Sequence, residues 1–520
     1  DEAGTAITTG DDNTFIGYAA GDATTTAGGN TAVGSSAFST NTTGEDNVAI
    51  GEAALLSNTT ASNNTAVGNN ALRSTTTGAS NVAVGSGAGY QNITGAGNIG
   101  IGLNALYSNT GSSLNIAIGT GALDAFNVGS GNGYNVAIGD QAGGALTTGV
   151  SNTLIGGLAG DALTDADNNV ALGYSAMTTN VLGSESVAIG TFALNSQNPA
   201  SATNMYNVAV GHNTGSSVTT GIRNTLIGAL AGDALTTSID NTAIGSHALS
   251  TETTGKYSTA VGQGALFTQN AGSNVSVYNT AIGYNTGNLI TTGTQNTLIG
   301  AIAGDALTDV DFNTAVGTGA LSTDTLGSKS TALGAYALAN QNFTSATDTH
   351  NTAVGNNAGG AVTTGQQNTL IGSLAGDALT NAFYNVAIGY QALSGDTEGS
   401  RSVAIGRRSL ATQNFTGGVN AYNVAIGYAT GEAITTGVQN VLIGGDAGDS
   451  LTTGSENVAI GMLALTAEDT GRKNVAIGTQ SLLAQNADTD NYNTAVGYFA
   501  GKSVTTGVQN TLIGGLAGDA

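Results

Sequence analysis

Asn47–Val48–Ala49–Ile50–Gly51 and, seventeen residues on, Asn64–Thr65–Ala66–Val67–Gly68 are two copies of the pentapeptide that decides the fold. The pattern is Asn, then Thr or Val, a small residue, Ile or Val, and Gly, and it returns twenty-nine times in 520 residues. Its closing glycines fall at Gly17, Gly34, Gly51, Gly68, Gly85, Gly102 and Gly119, at every seventeenth position. From Gly139 three steps of 17 and one of 21 make a block of 72, which begins at Gly139, Gly211, Gly283, Gly355 and Gly427. A unit this short cannot bury a core alone and must stack on its neighbours. The expected fold is therefore all-β: a parallel β-solenoid with 17-residue rungs and a 72-residue superrepeat of four rungs. Residues 1–119 form a plain section of simple rungs, and residues 120–520 a continuous decorated section carrying the superrepeat and protruding loops.

Within a rung, the aliphatic residue before each glycine and the Thr or Val two before it share one face of a strand, and the alanine between them faces the other way. β-branched residues suit such a strand, and the glycine permits the turn that follows. An Ala-Leu pair three residues on (Ala54–Leu55, Ala105–Leu106) predicts a second short strand or corner whose leucine joins the core. Thr-Thr-Gly then closes the rung, as at Thr42–Thr43–Gly44. The alanine face is small enough to invite a second chain to pack closely, which predicts a homo-oligomer.

The asparagine four before each glycine is Asn in 25 copies and Ser in four: Ser186, Ser258, Ser330 and Ser402. Rungs stack ~4.8 Å apart, a spacing at which identical amides hydrogen-bond as a ladder. Asn47, Asn64, Asn81, Asn115, Asn135 and Asn152 are read as its members. The residues added to each fourth rung predict protruding loops, and insertions in solenoids commonly form the binding face. The candidate ligand-facing residues there are Gln197, Tyr206, Gln269, Tyr278, Gln341, Phe343, Gln413, Phe415, Tyr422, Gln485 and Tyr492. The competing reading of the aromatics is that they cover the core where the loop leaves it.

Other classes are disfavoured by composition. Gly is abundant (81), but with a single proline and no Gly-X-Y period collagen is excluded. A net charge of −24 with ten basic residues argues against nucleic acid. No apolar run approaches the ~18 residues that span a bilayer. Cysteine is absent, which removes disulfides and thiolate chemistry. His212, His247 and His350 sit on different rungs, without acidic partners at fixed offsets. The series Asp161, Asp233, Asp305, Asp377 and Asp449 returns only every fourth rung, too sparse for a calcium site within one chain. The nearest carboxylate pairs, Asp165–Asp167 and Asp309–Asp311, read as turns. No catalytic residue, cofactor or metal site is expected. The chain stops in mid-repeat at Ala520 without a polar cap, which reads as part of a longer polypeptide or as ends that another subunit covers.

Ser186–Val187–Ala188–Ile189–Gly190, Ser402–Val403–Ala404–Ile405–Gly406 and the many Asn-Val-Ala-Ile-Gly copies resemble the head repeats of YadA-like trimeric autotransporter adhesins. Similar repeats occur in phage-type tail fibres. The resemblance spans nearly the whole chain, although the family's usual repeat is shorter than the rung found here. It implies a left-handed parallel β-roll, three chains side by side, and an adhesive fibre displayed outside the cell, and it supplies no catalytic residues. The functional expectation is an extracellular structural fibre or adhesin shaft, self-associating as a homotrimer or end to end as a filament, with a glycan or host-surface receptor as partner. The alternative is a glycan- or ice-binding solenoid using threonine faces around Thr42–Thr43 and Thr219–Thr220.

Overall fold

A computed structural model describes residues 2–520. No helix occurs among the described residues, and each pentapeptide forms one three-residue strand. The chain divides into two compact units, Asp1–Ser258 with Gly272–Val275 and Thr259–Ala271 with Ser276–Ala520. Each unit is a parallel β-solenoid. In the first, Val48–Ile50 pairs with Thr31–Val33 on one side and Thr65–Val67 on the other, residue over residue. In the second, Val386–Ile388 lies between Thr369–Ile371 and Val403–Ile405 in the same register. Each strand's backbone bonds reach both neighbours: Val48 N donates to Asn64 O at 2.8 Å, and Gly51 N to Val33 O at 2.8 Å.

The closing glycine is enforced by its own copies. Gly51 holds φ +130°, and a Cβ there would lie 2.5 Å from the carbonyl oxygen of Gly68, the next closing glycine. No side chain fits between backbones that close. The chain then turns through alternating hands, with Ala53 at φ 54° and Leu55 at φ 50°. The Ala-Leu pair is therefore a corner and not a second strand. A left-handed leucine is uncommon, and its recurrence (Leu72, Leu106, Leu123) follows from the inward aim that this conformation gives a fully buried side chain.

Which face is inside reverses the expectation. The middle alanine of each strand, such as Ala49, Ala66, Ala137 or Ala281, is fully buried, whereas the flanking aliphatics are partly or largely exposed. The interior of a 17-residue coil is narrow, and leucines entering from the corners fill it. Only a methyl fits beneath most strands, so the alanine face cannot be a subunit contact.

The 72-residue block is a packing code for this interior. Its first two rungs carry Gly143 and Gly160 at the left-handed corner, with Leu146 and Leu163 three residues later. Its third and fourth carry Met177 and Leu194 at the corner, with Asn180 and Gln197 three later. All six non-glycine side chains are fully buried. A Cβ on Gly160 would come within 2.7 Å of Leu163 Cδ1 and 2.9 Å of Leu154 Cδ2. One large apolar corner side chain is admitted per rung, from one of two positions, and the strand residue Leu154 fills the space left by both glycines. The second unit repeats the arrangement with Gly287/Ile290, Gly304/Leu307, Leu321/Asp324 and Leu338/Gln341.

Candidate functional surface

The asparagine column forms a hydrogen-bonded ladder, interrupted at serine rungs such as those of Ser330 and Ser402 and at Asn474. Asn47 Oδ1 accepts the backbone N–H of Asn64 at 3.0 Å, and Asn64 Oδ1 accepts that of Asn81 at 2.9 Å. Each Nδ2 reaches across the coil to the turn carbonyl of its own rung: Asn47 to Ala61 (2.9 Å), Asn64 to Gly78 (3.0 Å), Asn81 to Gly95 (2.8 Å). Asn115, Asn135 and Asn152 continue the column, with Asn115 Oδ1 accepting from Asn135 N at 3.2 Å and Asn135 Oδ1 from Asn152 N at 2.9 Å. All six of these residues are buried, so this part of the ladder is internal bracing and offers nothing to a ligand.

The serine exceptions have a cause. Where Ser186 replaces Asn, Gln197 occupies the vacated volume, and its Oε1 accepts from Asn207 Nδ2 of the next rung at 3.0 Å. Gln341 and Gln413 do the same for Asn351 (2.9 Å) and Asn423 (2.8 Å). Gln197, Gln269, Gln341, Gln413 and Gln485 are all fully buried. The sequence expectation was that they face a ligand; instead Gln197, Gln269, Gln341 and Gln413 replace an amide missing from the core, while Gln485 shares its rung with Asn474, where the amide is present. Phe343 and Phe415 are also buried, as core covers under their loops, whereas Tyr206, Tyr278, Tyr422 and Tyr492 are about half exposed. Each loop also pairs back onto the preceding rung, as in Gly183–Ser184 with Thr203–Asn204 and Gly327–Ser328 with Thr347–Asp348.

Gln341 and Gln413 have acidic partners that sequence reasoning missed, Asp324 and Asp396, and Glu468 stands at the equivalent place before Gln485 without bonding it. Asp324, Asp396 and Glu468 are buried, each one rung ahead of a glutamine. Burial pushes the carboxyls of Asp396 and Glu468 above the usual range, against hydrogen bonds that favour the ion. Asp324 Oδ1 accepts from Gly327 N (3.0 Å) and Phe343 N (3.2 Å), and Oδ2 faces Gln341 Nε2 at 2.6 Å. The 72-residue spacing of Asp324, Asp396 and Glu468 was the available signal.

The outer surface is built from the strand faces. Ile50 (40%), Ile138 (36%) and Ile282 (39%) stand out from it, in file with the residues two before them. Tyrosines and arginines border the strands. Tyr384, Arg401 and Tyr422 each precede a ladder residue, and Arg401 Cζ lies 5.5 and 5.6 Å from the two ring centroids. Tyr390, Arg407 and Tyr428 each follow a closing glycine, and Arg407 Cζ lies 5.9 and 5.5 Å from theirs. The face thus has an aliphatic middle, bordered between Tyr384 and Tyr428 by tyrosines and arginines.

The threonine column is largely committed. Thr42 Oγ1 donates to Thr59 O at 2.9 Å, Thr59 Oγ1 to Thr76 O at 3.1 Å and Thr219 Oγ1 to Thr236 O at 3.3 Å. The carboxylate pairs act in turns: Asp165 Oδ1 accepts from Thr148 Oγ1 (2.6 Å) and Asp167 Oδ1 from Val150 N (2.7 Å), and Asp309 and Asp311 repeat this with Thr292 (2.6 Å) and Thr294 N (2.7 Å). Asp161 and Asp233 accept hydroxyls from Thr178 and Ser250. An open hollow of about 370 Å³ is lined by Glu432, Asp446 and Asp449 with Thr412 and Tyr428. Among the described residues no group of three or more His, Cys, Asp or Glu could hold a metal ion, and no helix is long and apolar enough to cross a membrane. His212 packs edge-on to Phe192, and His247 Nδ1 pairs with Ser246 Oγ at 2.9 Å.

No protein-family model matches the chain, and a search of curated proteins returns no match either.

Proposed function

We propose that the chain is the shaft of an extracellular structural fibre, displayed at a cell surface, in which three copies pack through their outer strand faces and no external substrate is turned over. The observation that carries this reading is the outward aliphatic file that each unit carries, with Ile50 and Ile138 in the first and Ile282 in the second. Repeated, uncharged apolar surface of this kind marks an interaction face, and its border of Tyr and Arg has the composition of a protein interface. A file of side chains spaced one per rung is matched along its length only by a surface of the same period, and another copy of this chain supplies that. The YadA-like resemblance of the repeats supports three copies. Tyr206, Tyr278, Tyr422 and Tyr492 give such a fibre repeated aromatic contacts for a glycan or another surface receptor, weak singly and additive along the shaft. The internal commitment of Thr42 and Thr219 weighs against the threonine-face ice- or glycan-binding alternative.

Sedimentation equilibrium tests the proposal. The expected particle has three times the chain mass of 50.6 kDa. Ile138→Asp together with Ile282→Asp is expected to yield folded single chains, because both residues are exposed on an isolated copy. A wild-type chain that stays monomeric at every concentration overturns it.

A further inference from the structure

Asp324, Ser330 and Gln341, and again Asp396, Ser402 and Gln413, bring a hydroxyl, a carboxamide and a carboxyl together, all buried away from water. Gln341 Nε2 lies 2.8 Å from Ser330 Oγ and 2.6 Å from Asp324 Oδ2. In the second cluster the distances from Gln413 Nε2 are 3.0 Å to Ser402 Oγ and 2.5 Å to Asp396 Oδ2. Each glutamine carbonyl oxygen accepts an amide N–H, from Asn351 at 2.9 Å and from Asn423 at 2.8 Å. The second carboxylate oxygen is held by two backbone N–H groups, at 3.0 and 3.2 Å for Asp324 and at 2.9 and 3.1 Å for Asp396. These are the parts of an acyl-transfer site: a nucleophile, an acyl donor, a hydrogen-bond donor on the oxygen where charge develops, and a proton carrier at the leaving group.

We propose that both clusters modify themselves: the serine hydroxyl attacks the glutamine side chain and leaves an intramolecular ester that clamps the fourth rung of the block across its own coil. The Ser Oγ–Gln Cδ bond forms and the Gln Cδ–Nε2 bond breaks. The carboxyl relays the serine proton to the departing nitrogen, which leaves as ammonia, so no oxidant or second reactant is consumed. The asparagine amide holds the carbonyl oxygen through the tetrahedral intermediate. Burial raises the affinity of Asp396 for the proton it must pass on, and it keeps water from hydrolysing the product.

Two other blocks are natural controls. At Asn180, Ser186 and Gln197 the carboxyl is replaced by an amide, and Ser186 Oγ stands farther from Gln197, at 3.3 Å from Nε2. At Glu468, Asn474 and Gln485 the hydroxyl is missing, and Glu468 bonds Asn491 instead at 2.8 Å. Neither can form the ester by this route.

Peptide mass spectrometry of the native chain after prolonged incubation tests the proposal. Trypsin cuts the denatured chain after Arg407 and Arg408, inside the ring that an ester between Ser402 and Gln413 would close; chymotrypsin cuts after Tyr336, inside the other. The expected fragments remain joined, are lighter by one ammonia per site, and separate in mild alkali. Ser186–Gln197 and Asn474–Gln485 remain unlinked. Ser402→Ala and Asp396→Asn each abolish the second link and leave the first; Asn180 shows that the fold seats an amide at the Asp396 position. Separate wild-type fragments with unmodified Ser402 and Gln413, or a link that survives Ser402→Ala, overturn it.

Discussion

Replacing Asn64 by alanine removes one step of the internal ladder. Asn64 is fully buried; its Oδ1 accepts the backbone N–H of Asn81 at 2.9 Å, and its Nδ2 donates to Gly78 O at 3.0 Å. The substitution leaves one buried donor and one buried acceptor without partners. At about 1–3 kcal/mol for each orphaned group, the loss is about 2–6 kcal/mol. It is confined to neighbouring rungs, because each rung of a solenoid touches only the next. A single melting temperature reads such a loss poorly, so native-state hydrogen exchange is the assay. The amides of Val82 (to Asn98 O, 2.8 Å) and Gly85 (to Val67 O, 2.8 Å) are expected to exchange at least about thirty-fold faster, since 1.4 kcal/mol is a factor of ten. Thr225, several rungs away in the same unit, keeps its protection. A change below about threefold at Val82 and Gly85 would mean that the freed groups find other partners, and that the ladder contributes little.

Asn474→Ser is expected to stabilise its rung by about 1–2 kcal/mol, since Asn474 Oδ1 and Nδ2 and Gln485 Nε2 are buried without partners, while serine gives Gln413 Nε2 an acceptor at the equivalent place; slower local exchange checks this. Burial holds the Asp396 and Glu468 carboxyls above their unfolded values, so the native state binds the extra protons. Stability of the second unit should therefore rise as pH falls from neutral toward the ordinary carboxylate range, and level off below it, with Asp396→Asn flattening part of the slope in urea titrations. Leu154→Ala, which empties the space shared by Gly143 and Gly160, should cost about 2–5 kcal/mol, read by local hydrogen exchange.

Rung length, strand position, the glycine column and the asparagine ladder were legible in the sequence, because each reflects a contact between identical residues in adjacent rungs. Which strand face turned inward was not. Alternation separates Ala49 from Val48 and Ile50, but the choice depends on the room left by Leu55 and its counterparts, and those enter through left-handed corners that no periodicity of 2 reveals. The loop glutamines were misplaced for a related reason. Polar residues beside an insertion read as surface, yet Gln341 and Gln413 complete a ladder that Ser330 and Ser402 had interrupted. The exceptions at Ser186 and Ser402 were visible; the carboxylates one rung ahead of Gln341 and Gln413 supplied the missing half of the pattern.

The four-rung packing code also fixes how such a chain changes size in evolution. A duplication or deletion that spans one whole 72-residue block, from Gly283 to Gly355 for example, presents every new junction with the neighbours it already had. A shift of a single rung breaks the order of two glycine corners followed by two filled ones, and leaves a strand leucine such as Leu154 without one of the two glycines whose space it fills. Length is therefore inherited in quanta of ~19 Å, four rungs at ~4.8 Å, and unequal recombination between blocks can lengthen or shorten the solenoid in one generation without any compensating substitution.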